Sequence, residues 1–389
     1  MFVKSQFTDD DSVTVFEPSL TVLDKWQLRM RRLWETRGHG YFVSTESEHI
    51  GFATPWTPSG LAPLSQIPEA DIINLHWVAG FLDFRLIPSL PTKCTSLVWR
   101  LSDLNPLSGG CFMDAECGRF RMECGECPCL GSDKINDLSR RSLLAKRKVI
   151  RSLPSDFLTI VAQSRWSQRC IEESSIFEDV ETVHIPNGID PERFRPMNKL
   201  AARSEFDLPA DTIIVMFAAQ SLRNPLKGAT YFIEAIRQSA ASIKGKLMVL
   251  ALGKDEFPDI EGVDIKRLSL NDDRLINAAF SASDIFVITS LQETFPNTVL
   301  EAMASGTASI GFNVGGVPDM IDDGKTGYLV PKRDVVALAE RICELASNDS
   351  KRVAFAAAGR ERIEREFTIE TQLDRYTELY QSLLERKLR

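Results

Sequence analysis

Short apolar runs alternate along this chain with stretches in which apolar positions recur every three or four residues. ADIINLHW and CTSLVWRL, residues 70–77 and 94–101, read as buried strands, because a strand covered on both faces is a nearly continuous apolar run. Asp137–Ile150 has the spacing of a basic amphipathic helix, and FLTIVAQS (157–164) is a strand ending at Ser164, a residue suited to cap a helix from about Arg165. ETVHIPNGIDPERFRP (181–196) supplies a short strand and then a turn rich in Pro, Gly and Asn. Beyond Asp211 the alternation sharpens, with strands expected at TIIVMFAA, KLMVLAL, DIFVIT and TASIGF. Helices are expected at Ala229–Ser239, Asp272–Ser281, Thr298–Ser305 and Val335–Ser347, then near Lys351–Glu366 and Ile369–Glu385. Strands alternating with helices predict a parallel sheet covered on both faces.

The first 60 residues are harder to read, with one helix expected around Leu23–Glu35 before a Gly/Ser/Thr/Pro-rich stretch. With 389 residues the chain exceeds one ordinary core and suits two α/β domains. The expected division is 1–190, with a cysteine-rich insertion at 109–131, then 191–366, then a C-terminal helix over 367–389 that crosses back toward the first domain. No run approaches the ~20 apolar residues of a membrane span, and the N-terminus lacks the apolar core of a signal peptide, so a cytoplasmic location is expected. A net charge of −8 argues against a nucleic-acid partner. The basic segment RRSLLAKRKVIR (140–151) is either solvated or a peripheral contact with the inner membrane.

The chemistry concentrates where strands open onto helices. In ITSLQETFPNTVLEAMASG (288–306) a strand ends in a polar turn, and Asn297 or Thr298 is placed to cap a helix whose first N–H groups suit a phosphate. Glu293 and Glu301 stand at either end of this element, able to accept from sugar hydroxyls or simply solvated. SLRNPLKG (221–228) brings Arg223 and Lys227 to an equivalent strand end, where both can neutralise phosphate. In GFNVGGVPDMIDDGKTGYLV (311–330), Gly315 and Gly316 permit close backbone approach, while Gly324 and Gly327 read as ordinary turns. Neither a GxGxxG fingerprint nor a GxxxxGK[ST] phosphate loop occurs, which lowers the dehydrogenase and ATPase readings.

Together IPNGIDPERFRP, SLRNPLKG, ETFPNTVLEAMASG and GGVPDMIDDGKTGYLV resemble the bacterial glycosyltransferase family 4, retaining enzymes of the GT-B fold. The resemblance implies an α/β chain of two Rossmann-like domains facing a cleft, the first of them N-terminally reduced or with its start lost. It implies transfer of a sugar from a UDP- or GDP-linked donor to a glycan or lipid-linked acceptor, as in exopolysaccharide or lipopolysaccharide synthesis, with no cofactor required. In the family's paired-glutamate signature, Glu293 matches the residue at the donor sugar and Glu301 the one at the ribose. Phe295, Asn297 and Thr298 would offer backbone to the diphosphate and sugar, and Lys227 matches the diphosphate lysine. The family arginine falls at Leu222 here, so Arg223 would take that role.

Within the first domain, INLHWVAGF, VWRLSDLNPLSGGC and ECGECPCLG resemble a cysteine-bearing subgroup of colanic-acid-type glycosyltransferases, which reads histidine-aspartate where this chain has Ser102-Asp103. Asp103 is the candidate catalytic residue there, ahead of His76. Asn187 and Gly188 are expected to shape the interdomain crevice. Five of the eight cysteines lie between Cys111 and Cys129; Cys111, Cys117, Cys124 and Cys127 could hold zinc, or form a reduced or oxidation-prone loop. Three competing readings stay open: a catalytically weakened nucleotide-sugar-binding protein, a sugar-nucleotide epimerase of the same architecture, and a scaffold that binds no donor.

Overall fold

The computed structural model describes residues 2–3, 14–15, 51–57, 67–114, 116–221, 224–243, 247–254 and 257–388. The helix expected around Leu23–Glu35 lies outside the described residues, as do Leu222 and Arg223. The chain divides into two compact units. The first comprises Met1–Gln163, Ser167–His184 and Glu378–Arg389; the second comprises Ser164–Trp166 and Ile185–Thr377.

In the first unit, Phe2–Val3 (β1) and Thr14–Val15 (β2) form a small parallel pair. The main sheet is parallel throughout, in the order Ile72–Leu75 (β3), Ser96–Leu101 (β4), Leu158–Ala162 (β5) and Glu181–His184 (β6). Every residue of β5 is buried, which accounts for its unbroken apolar run. Trp99 on β4 is closed in by Phe84 and Phe177, with ring centroids 5.4 and 6.3 Å away. The basic helix forms as expected at Leu138–Ile150 (α1), where the Asp137 side chain accepts from the Arg140 amide. Arg165–Glu172 (α2) follows β5.

The second unit holds a six-stranded parallel sheet in the order β12-β11-β10-β7-β8-β9. Its strands are Ile213–Ala218 (β7), Leu247–Leu252 (β8), Asp264–Leu268 (β9), Ile285–Ile288 (β10), Ala308–Phe312 (β11) and Gly327–Val330 (β12). The chain starts at the centre, builds outward on one side, then returns to build on the other. That order is the dinucleotide-fold order 3-2-1-4-5-6, whose direction reverses between the first and fourth strands, here β7 and β10. Around the sheet lie Lys199–Ser204 (α3), Ala229–Ser242 (α4), Asp273–Ala282 (α5), Asn297–Ala304 (α6), Val317–Met320 (α7), Val335–Ser347 (α8) and Asp349–Glu366 (α9). The last helix, Ile369–Leu388 (α10), starts among the residues of the second unit and ends among those of the first.

Phe217, Phe232 and Phe257 stack at the heart of this unit at centroid distances of 4.8 to 6.1 Å. At the amino ends of the strands, buried Asp284 accepts from Arg203 and Lys199, each at 2.7 Å, and from the Ile214 amide at 2.8 Å. No helix among the described residues is long and apolar enough to cross a membrane.

Candidate donor site at the strand-order reversal

Three loops meet outside the carboxyl ends of β7, β10 and β11. The first runs from Asn224 to Gly228. Asn224 Oδ1 accepts from the Leu226 amide, closing a tight turn that ends at Gly228 with φ of +66°. A Cβ on Gly228 would lie 1.9 Å from the Thr289 carbonyl oxygen, so only glycine lets this turn press on the end of β10. Thr289 Oγ1 donates to the Gly228 carbonyl at 2.9 Å, and the Leu291 amide donates to the Leu226 carbonyl at 2.7 Å.

With the two loops tied in this way, Lys227 Nζ donates to Glu293 Oε1 at 2.5 Å. The glutamate side chain is 11% exposed and the lysine 34%, so the carboxylate is held inside while the ammonium keeps an open side. The third loop locks behind them, the Gly316 amide donating to the Glu293 carbonyl at 3.0 Å. Gly315 has φ of +54°, and a Cβ there would lie 1.8 Å from the same carbonyl oxygen; at Gly316 it would lie 2.1 Å from that of Thr294. Both glycines are therefore required by close backbone packing around Glu293.

Helix α6 begins at the mouth of this arrangement. Pro296 is its N-cap, with no side-chain cap hydrogen bond. The sequence placed a capping role on Asn297 or Thr298; instead both lie at the helix start, because Pro296 takes the extended cap conformation that its ring already prefers. The Val299 amide donates back to the Pro296 carbonyl at 3.1 Å, and the Asn297 and Thr298 amides are the ones placed to meet a ligand. Asn297 Oδ1 accepts from Asn187 Nδ2 at 2.8 Å, which ties the segment leaving β6 to the helix start. Gly188 is fixed beside it: its amide donates to Gln372 Oε1, and a Cβ would meet the Thr368 carbonyl at 2.4 Å. Phe295 is buried against Phe367, so only its backbone is available to a ligand.

Glu301 sits one turn into α6 and makes no side-chain hydrogen bond or ion pair among the described residues. Burial, with a smaller contribution from the nearby charge of Asp273, pushes its carboxyl up to about 7. Gly327 is not a turn residue but the first residue of β12, where a Cβ would come within 2.3 Å of the Ser309 carbonyl. Gly324, with φ of +74°, does form a turn.

Asp103 belongs to the first unit, just past the end of β4. Its Oδ1 accepts from the Asn105 amide at 2.8 Å. Burial pushes its carboxyl up to about 6, opposed by the Asn105 amide, the charge of Lys146 and a hydrogen bond with Trp77. Neither Trp77 nor Lys146 stood out in the sequence. Lys146 is wholly buried, its Nζ donating to the carbonyls of Asn105 at 2.5 Å and Ser108 at 3.1 Å, and burial pulls it down to about 8. Its position on the apolar face of a basic helix was the available signal. Ser102 Oγ accepts from Arg100 Nη1 at 3.2 Å, and burial and Arg100 hold His76 below its ordinary range.

The cysteine-rich segment lies between β4 and α1, and all eight cysteines of the chain are free thiols. As placed, no group of three or more His, Cys, Asp or Glu side chains among the described residues stands in an arrangement that holds a metal ion.

Residues 212–348 match the family described as glycosyl transferases group 1. Among solved structures, 95% of this chain aligns with 86% of Anabaena Alr3699/HepE in complex with UDP and glucose, at a TM-score of 0.59 and 15% identity. The chain has the GT-B fold. The sucrose-phosphate synthase of Thermosynechococcus elongatus gives a TM-score of 0.61 at 19% identity, over 81% of this chain and 74% of that one. Among curated proteins, the D-inositol 3-phosphate glycosyltransferase of Saccharomonospora viridis is 29% identical over 215 residues, 50% of this chain and 49% of the relative. The N-acetyl-alpha-D-glucosaminyl L-malate synthase of Bacillus anthracis is 26% identical over 214 residues, 53% and 55% of the two chains. This GT-B chain thus spans about half the length of the curated relatives it matches. It is related to group 1 glycosyltransferases through its second unit.

Proposed function

We propose that the chain transfers a sugar, with retention of anomeric configuration, from a UDP- or GDP-linked donor to a glycan or lipid-linked acceptor in polysaccharide synthesis at the cytoplasmic face of the membrane. The observation that carries this reading is the Lys227–Glu293 pair, set beside the uncapped start of α6 at the point where strand order reverses. A cation and free helix amides suit the diphosphate. A fixed carboxylate suits sugar hydroxyls, and a second one, Glu301, suits the ribose.

In this reading, binding of the donor gives the Lys227 ammonium a second anionic partner. As the bond from sugar to diphosphate breaks, negative charge grows on the departing phosphate. Lys227, Arg223 and the first amides of α6 stabilise it there, where preorganised donors count most. Glu293 keeps the sugar in place, and Gly315 and Gly316 allow the backbone to approach it. No protein nucleophile is needed if the acceptor attacks the same face that the phosphate leaves, with that phosphate taking the acceptor's proton. Asp103 serves the acceptor side. The chemistry asks for no metal.

A catalytically weakened donor-binding protein is favoured by one observation, Ser102 standing where the resembling subgroup has histidine. Incubating the chain with radiolabelled UDP- and GDP-sugars, read for binding and for slow hydrolysis, tests both. Binding with turnover supports the transferase, binding without turnover the weakened protein, and no binding by either nucleotide removes both.

A further inference from the structure

The segment from Gly109 to Gly131 folds with little regular secondary structure. Its regular structure among the described residues is two short 3-10 turns, Arg119–Arg121 and Pro128–Leu130, and a single bridge from Cys111 to Phe52. Loops beyond about 12–15 residues with so little secondary structure are uncommon in compact domains unless something else fixes them. Yet its backbone is tightly folded, with positive φ at Gly118, Cys124, Gly125, Glu126 and Gly131. A left-handed conformation at Cys124 and Glu126 costs energy that the surroundings must over-determine.

Those bends bring thiols together. Cys111, Cys117, Cys124 and Cys127 line one cavity of about 20 Å³, room for a single ion, walled by Phe52 and Phe120. The backbone beneath them is pinned. The Cys117 amide donates to the Asp114 carbonyl, the Cys124 amide to the Arg119 carbonyl, the Cys127 amide to Asp137 Oδ2, and Ser139 Oγ accepts from the Gly125 amide. Cations stand close by, Arg119 on the cavity wall and Lys146 in electrostatic contact with Cys111 and Cys124.

We propose that these four cysteines form a structural zinc site that fixes the 109–131 segment of the first unit. Four S–H groups release four protons to solvent as four Zn–S bonds form, leaving a doubly negative centre beside Arg119 and Lys146. The four side chains line the cavity without yet standing in a metal-holding arrangement, so the site closes around the ion as it binds. A saturated tetrahedral thiolate set marks a structural rather than a catalytic zinc. Cys129 is buried in the same segment but does not line the cavity, and Cys170 lies outside the segment on α2; both are the natural controls.

The test uses the whole chain purified under reducing conditions without chelator. Elemental analysis should find about one zinc per chain, lost in Cys124→Ser and Cys127→Ser and kept in Cys129→Ser and Cys170→Ser. Because the first two variants can fail to fold, the wild-type chain is also exchanged with cobalt, which should show the charge-transfer and d–d bands of a tetrahedral thiolate site. Titration with a mercurial thiol reagent should release the metal as about four thiols react. A folded chain that carries no zinc and takes up no cobalt overturns the proposal. So does metal lost equally from Cys129→Ser, or disulfides among the four cysteines in the reduced preparation.

Discussion

Lys227 and Glu293 are 66 residues apart and come from different strand ends, yet Nζ and Oε1 meet at 2.5 Å. Each is therefore the other's partner before any ligand arrives, and the two substitutions should not be equivalent. Lys227→Ala removes the phosphate cation and leaves an inward-facing carboxylate without its partner. Calorimetry should show UDP or GDP affinity falling tenfold or more, the loss of about one charge-assisted contact. Unchanged affinity would remove Lys227 from the site.

Glu293→Gln frees the lysine instead of removing it. Bare nucleotide should bind within about threefold of wild type, less than the ~1.4 kcal/mol that a tenfold change represents. The intact sugar nucleotide should bind or turn over much less well, because only that ligand carries the hydroxyls the carboxylate serves. Equal losses for both ligands would show that Glu293 holds the nucleotide.

Glu301 links affinity to pH. Its folded carboxyl is raised to about 7, mainly by burial. The folded chain thus holds this proton more tightly than the unfolded chain does, so the linkage sign is negative: stability falls as pH rises from the ordinary carboxylate range through about 7. Glu301→Gln removes that dependence and should raise Tm at pH 8 relative to wild type, with less gain at pH 5.5. The same variant should weaken nucleotide binding roughly tenfold at pH 8, since a hydrogen bond to a charged group contributes about 1.5–3 kcal/mol. In the wild type, nucleotide binding should strengthen as pH rises through about 7. A flat profile would take the ionised Glu301 out of ligand binding.

Gly315→Ala should be among the most damaging single-methyl changes. The added Cβ meets the Glu293 carbonyl at 1.8 Å on a backbone with φ of +54°. A strained conformation alone costs about 1–3 kcal/mol. Thermal melting should drop by several degrees and nucleotide binding with it. Gly324→Ala, also at positive φ but with nothing within 4 Å of its Cβ, separates backbone strain from close contact, and should leave binding intact.

In the first unit, Lys146→Met leaves the carbonyls of Asn105 and Ser108 without their buried donor and should cost about 1–3 kcal/mol in urea unfolding. Because the lysine's charge lowers the Asp103 carboxyl, the acid limb of any activity profile, near 6 in the wild type, should move upward in this variant. An unmoved limb, with Asp103→Asn fully active, would exclude Asp103 from the reaction.

Most of the strands that the sequence revealed are buried almost throughout, as β4, β5, β10 and β11 are, while β3 and β6 showed through as short runs at the sheet edges. β9, DIKRL, was missed because it is a partly exposed edge strand whose charged residues imitate a loop. β12 was hidden because its first residue is a glycine that reads as a turn, and α3, only six residues long, is too short to show a helical period. Lys227, Glu293, Gly315 and Gly316 were legible because each stands at a strand end among turn residues. Their pairing was not, since it depends on β7 and β10 being neighbours, a fact of sheet order that no local pattern carries. Pro296 as the cap was overlooked because polar residues next to it are better capping residues in general.

The strip of backbone around Gly188 has a consequence for how the chain can be shortened. Ile189 exchanges hydrogen bonds with Phe367 and Ile369, the Gly188 amide is held by Gln372, and the adjoining Asn187 reaches Asn297. A chain cut at Glu366 would keep every residue assigned to the nucleotide, but strip away the edge against which residues 187–189 lie. The start of α6 would then lose its tether from Asn187, so that the phosphate end of the site would loosen although the cut is made some seventy residues downstream of it.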